Sequence, residues 1–78
     1  MDQNFMPLSQ LPIGACAKVK KLNMKGSNRR RMLDLGITMD TIIEALQKSP
    51  SGDPTAYQIR GAVIALRTEE TSEIIVKI

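Results

Sequence analysis

Regular patterning never runs long in this 78-residue chain before glycine, proline or a polar turn interrupts it. The run "GACAKVKKL" (residues 14–22) alternates, with Ala15, Ala17 and Val19 on one side and Cys16, Lys18 and Lys20 on the other. A period of two predicts a half-buried strand. Leu22 breaks the register, and a β-bulge would absorb the break. "TIIEALQK" (41–48) predicts another strand with apolar groups on both faces. Ile43 and Ala45 point one way, Ile42, Glu44 and Leu46 the other, and pattern alone does not choose between them. "TAYQIR" places Tyr57 and Ile59 on one face. "GAVIALR" turns Ala62, Ile64 and Leu66 inward and Val63, Ala65 and Arg67 outward, with Gly61 allowing a tight bend. "SEIIVKI" closes the chain as a strand with Ile74, Val76 and Ile78 on one side. About five short strands, in a chain too small for a sandwich, predict a mainly β fold built as a small barrel. Closure would also remove exposed strand edges.

One helix interrupts the strands. After the turn "NMKGS", Ser27 stands where an N-cap belongs. In "NRRRMLDL", Met32 and Leu35 share a face and Leu33 flanks them. Gly36 takes the left-handed position after the last turn, and Ile37 can fold back onto Met32. Thr68 can begin a single helical turn, with Glu69 and Glu70 at its positive end.

Size and composition narrow the class. The chain is one domain with two aromatic residues, Phe5 and Tyr57, so Ile, Leu, Val, Ala and Met must build its core. Residues 1–13, with two prolines and no clear period, read as an N-terminal arm ahead of a domain over 14–78. Cys16 is the single cysteine and closes no disulfide within the chain, which fits a reducing cytoplasm. No stretch approaches the ~20 apolar residues of a membrane span. The start "MDQNFMPLSQ" lacks the features of a signal peptide. Net charge is +3 and pI about 9.4, which permits nucleic acid, anionic lipid or an acidic protein as partner.

Little in the sequence suggests catalysis. Histidine is absent, so the commonest general base near neutral pH is missing. There is no glycine-rich phosphate loop with its lysine, so the chain is not expected to hydrolyse a nucleoside triphosphate. Intracellular transition-metal sites want imidazole, carboxylate or thiolate at fixed spacing, and Cys16 has no near partner. Glu69, Glu70 and Glu73 read as dipole complementation on a solvated face rather than as ligands. No catalytic, cofactor or metal residue is therefore assigned.

The residues expected to meet another protein are Arg29, Arg30, Arg31, Met24, Met39, Gly52 and Asp53. The three arginines occupy what reads as the first helical turn, where cations oppose the macrodipole and Asp34 can offset Arg30 or Arg31. Their guanidinium forks suit carboxylates on a partner. Met24 and Met39 fall in loops, where exposed methionine makes adaptable apolar surface, and a Met-lined cleft beside the helix is a candidate peptide groove. In the corner "SPSGDP", Gly52 supplies a positive φ, Asp53 bonds nearby backbone and two prolines stiffen the path. The corner is expected chiefly to set barrel geometry and secondarily to present a contact loop.

Three stretches, "RRRMLDLGITMDTIIEAL", "SPSGDP" and "IALRTEETSEIIVKI", in this order and spacing, resemble the ferrous iron transport protein A (FeoA) family. They cover most of residues 29–78. One departure is Met39-Asp40, where the family usually has Pro-Gly, so the turn type there is open. The resemblance implies an SH3-like barrel acting in the cytoplasm as an accessory to a FeoB-type ferrous iron transporter, a membrane protein with a cytoplasmic GTP-binding domain. It implies ferrous iron as the transported ion, with no tightly bound cofactor, no direct membrane insertion and an open oligomeric state that includes self-association. The alternatives are a small basic barrel that binds nucleic acid, disfavoured by the lack of stacking aromatics, and a metal-responsive regulatory domain.

Overall fold

The structure is a computed structural model and describes residues 4–78. Its elements are β1 (Phe5–Pro7), a 3-10 turn (Leu8–Gln10), β2 (Cys16–Leu22), α1 (Gly26–Asp34), β3 (Ile42–Lys48), β4 (Thr55–Ile59), β5 (Ala62–Leu66), α2 (Thr68–Thr71) and β6 (Ile74–Lys77). The strands form one antiparallel sheet in the order β1-β6-β2-β3-β4-β5. The sheet wraps a core of Val19, Ile43, Tyr57, Ile59, Leu66, Ile74 and Val76, joined by Met24, Met32 and Ile37 from around α1. Among the described residues no ladder joins β1 to β5, so these two strands are edges. The 3-10 turn and α2 touch each other and β6.

Most of the expected faces hold. Ala17 and Val19 point inward from β2 while Cys16 and Lys18 stay exposed. The expected bulge lies between Val19 and Lys21. In β3, Ile43 and Ala45 face the core, and a second register shift falls between Ala45 and Gln47. Of the predicted inward residues in β5, Leu66 is buried and Ile64 partly so, but Ala62 is exposed beside the hairpin turn. Ile78 is also exposed, since it lies beyond the end of β6.

The expected arm needs correction. Residues 1–3 of it lie outside the described residues, but β1 pairs with β6, and Leu8 and Leu11 belong to the core. The strand was hidden because it is short and ends in Pro7, which an edge strand tolerates. Its apolar anchors follow no simple period.

The helix stop is the one expected. The Gly36 N–H donates to the Leu33 carbonyl at 3.0 Å and the Ile37 N–H to that of Met32 at 3.0 Å, with Gly36 at φ +92°. These two bonds complete a Schellman ending. The helix start differs. Lys25 precedes the first turn with extended backbone, Ser27 lies inside the helix, and no side chain caps it. Gly26, at φ +65°, makes the entry instead.

The Met39-Asp40 departure leaves the turn intact. The Thr41 N–H donates to Thr38 at 3.1 Å across a four-residue turn whose third residue, Asp40, has φ +68°. A type II turn wants glycine at that position. Asp40 adopts the left-handed conformation and its carboxylate accepts from Lys20 Nζ at 2.8 Å.

Candidate protein-docking site

Helix α1 contributes a single buried side chain, Met32, to the core. The rest of its surface must be explained by something other than packing. Because the helix starts at Gly26, the three arginines do not occupy its first turn, and Arg31 falls in the last turn, where the macrodipole favours a cation. The expected pairing with Asp34 does not form. Arg31 pairs instead with Glu70 of α2. Arg29 donates to the Leu22 carbonyl at 3.3 Å. The Arg30 side chain makes no hydrogen bond or ion pair among the described residues and is exposed. Arg29, Arg30, Leu33 and Asp34 line a shallow depression on the outer side of α1. Leu33 is 40% exposed there.

A deeper cleft of about 210 Å³ lies between α1 and α2, lined by Met24, Asn28, Met32, Glu69, Glu70 and Glu73. The expected Met-lined groove is therefore present but differently furnished. Met24 is buried rather than exposed and forms part of the floor with Met32. Met39 is 60% exposed and lies on the turn after α1, outside this cleft. The rim is acidic.

Helix α2 has four residues and cannot hold itself. Asp53 Oδ1 accepts from the Thr68 N–H at 2.8 Å and from the Thr68 hydroxyl at 3.0 Å. Glu70 Oε1 accepts from the Arg67 N–H at 3.0 Å, while its other oxygen takes Arg31. Two residues expected to face a partner, Asp53 and Arg31, thus serve as clasps on α2. Glu69 and Glu70 complement its positive end as expected.

The "SPSGDP" corner closes on itself. The Gly52 N–H donates to Ser49 at 2.8 Å, the Ser49 N–H to Pro54 at 3.1 Å, and the Asp53–Pro54 peptide is cis. Gly52, at φ +92° with open space around it, remains an exposed loop residue.

Sequence reasoning missed Arg60. It sits at φ +50° in the two-residue β4–β5 hairpin with Gly61. Its Nε donates to the Gly36 carbonyl at 3.1 Å, and its Cδ would lie 2.8 Å from any Cβ added at Gly36. Only the positive-φ turn signal at Arg60-Gly61 was available to reveal it.

Two groups titrate away from their ordinary values. The hydrogen bond and charge of Lys20 hold the Asp40 carboxyl below its ordinary value. Burial pushes the Tyr57 phenol up, and the hydroxyls of Thr71 and Thr55 pull it partly back. Neither pattern resembles a poised acid or base. Among the described residues no group of three or more His, Cys, Asp and Glu side chains could hold a metal ion. No helix among them is long and apolar enough to cross a membrane.

The family model for the FeoA domain matches residues 6–78. A fusion protein of Porphyromonas gingivalis, which joins Fe(2+) transport protein A to the Fe(2+) transporter FeoB, is 32% identical over 73 residues. That match takes in 94% of this chain and 9% of the fusion protein. Iron(II) transport protein A from Clostridium thermocellum superimposes with a TM-score of 0.90 at 33% identity, covering 94% of this chain and 45% of that one. Stenotrophomonas maltophilia FeoA, crystallised with zinc and described as an SH3 domain protein, superimposes with a TM-score of 0.83 at 28% identity, covering 92% of this chain and 89% of that one. With the match running over nearly its whole length, the chain belongs to the FeoA domain family.

Proposed function

We propose that this protein is an accessory of ferrous iron uptake that docks on a FeoB-type membrane transporter and modulates it from the cytoplasm without a catalytic step of its own. The observation that carries this reading is the fusion relative, in which a domain 32% identical to this chain shares one polypeptide with the transporter. A covalent link keeps two domains at high effective concentration and has most use when they act together. Ferrous iron is the cargo of that system and not a resident cofactor of this chain.

The docking face is the outer side of α1. Arg30 is free there among the described residues, beside Arg29 and the exposed Leu33. A guanidinium next to an apolar side chain fits an acidic, partly apolar contact on the cytoplasmic GTP-binding domain. Met39 is exposed on the turn that follows, and Gly52 belongs to a separate loop. Pull-down of the transporter's cytoplasmic domain by this chain, at low salt and in each nucleotide state, tests the reading. Capture in at least one state is expected. Its absence in all of them would overturn the reading.

A further inference from the structure

We propose that strand β5 pairs edge to edge with the β5 of a second copy of this chain, across a two-fold axis at Ile64. The strand is one of two sheet edges among the described residues, and the two are built differently. Strand β1 has three residues and ends in Pro7, which has no N–H to offer a neighbour. Strand β5 has five, Ala62–Leu66, and all are apolar. It carries no proline and no charge, and its register with β4 has no bulge. Proline, edge charges and bulges are the usual means of keeping an edge from pairing, and β5 uses none of them.

The hairpin fixes which backbone groups are free. Arg60 and Gly61 form its two-residue turn with positive φ at both, so Ile59 and Ala62 close it as a hydrogen-bonded pair. Alternation then commits Ala62, Ile64 and Leu66 to β4 and points the N–H and C=O groups of Val63 and Ala65 away from it. No turn, loop or cap bond among the described residues uses them. Val63 is 65% exposed, Ala65 is exposed, and Ile64 is only partly buried against the core.

A second copy fits because the edge complements itself. About a two-fold axis at Ile64, Val63 of each copy exchanges both backbone bonds with Ala65 of the other. Ile64 meets Ile64 as the close, non-hydrogen-bonded pair, and Ala62 meets Leu66. Every facing pair is apolar, so the strands set no like charges directly opposite one another. Beyond their ends Arg67 falls opposite Gly61, and Arg60 falls opposite Thr68, next to the exposed Glu69 at the start of α2. The contact is isologous and closes at two copies. It is also short. Five residues a side are fewer than the about 20–30 of a standard interface, so the dimer is weak and forms toward about millimolar concentration. The outer side of α1 stays free, and the inference stands apart from transporter docking.

Sedimentation velocity of the full chain, from about 10 μM to about 1 mM, tests it. The mass should rise from 8.6 kDa toward twice that value and stop there. Over the same range amide exchange at Val63 and Ala65 should slow, because their N–H groups become bonded. Neither measurement needs a variant. Val63→Lys should weaken association at least about tenfold, since it adds a like charge from each copy beside the axis. Ile42→Ser, on the exposed side of β3, should leave association unchanged, and thermal melting checks the fold of both. A mass that stays at 8.6 kDa throughout, or climbs past the dimer, would overturn the proposal. So would unchanged association of the folded Val63→Lys chain. Slower exchange at Val63 and Ala65 only on adding the transporter's cytoplasmic GTP-binding domain would overturn it in favour of strand addition by that partner.

Discussion

The two helices are held in opposite ways. Helix α1 carries its own stop signal, with Gly36 and Ile37 closing the last turn through backbone bonds within a few residues. Helix α2 borrows its hold from distant parts of the chain: Asp53 in the corner before β4, and Arg31 in α1. The first is specified locally and leaves its outer face free. The second is specified by tertiary contacts that consume the charges around it. A charged side chain in a small domain can be spent on the fold or offered to a partner. Its place in the sequence does not say which.

The largest effect should come from attacking the local stop. Gly36→Ala forces a side chain into a left-handed backbone and against Arg60, and should cost about 2 kcal/mol in denaturant unfolding. A loss as small as that of a surface substitution would mean that the end of α1 can relax, and the contrast with α2 would fade. Breaking the distant clasp should cost somewhat less. Asp53→Ala removes both acceptors of Thr68 and should destabilise by about 1 kcal/mol, with Asp53→Asn recovering part of it. Glu70→Ala should also cost about 1 kcal/mol, because one carboxylate caps α2 and ties it to α1. Hydrogen exchange should then show α2 opening in both variants while α1 stays protected. Equal loss of protection in both helices would sink the distinction.

The smallest effect belongs to the turn after α1. Asp40→Gly should hold or raise the melting temperature, since glycine accepts the positive φ freely, whereas Asp40→Ala should lower it. The Asp40 carboxyl titrates lower in the folded chain than in the unfolded one. Its contribution is therefore present above the ordinary aspartate value of about 3.9 and is lost as pH falls through the lower folded value. A melting curve for Asp40→Gly with the same acid dependence as the parent would show that the Lys20 pair contributes nothing.

How much of this was legible in the sequence depends on the range over which each feature is specified. The alternation in β2 and β4, the bulge in β2 and the end of α1 are set by neighbouring residues, and all were readable. The face of β3 became definite only when β2 and β4 placed Ile43 and Ala45 against the core. Strand β1 was not readable, because three residues ending in proline carry no period. Of the residues expected to meet a partner, Asp53 and Arg31 also serve the fold, and the sequence hid this for one reason. Their partners, Thr68 and Glu70, lie 15 and 39 residues away. Met24 was misread because a loop position in sequence became part of the core in three dimensions. Arg30 survived as a candidate because nothing in the fold claims it.

The central claim is that α1 offers its outer face to the transporter. A binding titration against the cytoplasmic GTP-binding domain of a FeoB-type transporter, comparing the parent chain with Arg30→Glu, tests it most directly. The account predicts saturable binding by the parent and an affinity at least about tenfold weaker for the variant, with its melting temperature unchanged. Equal affinity for the two chains would contradict it.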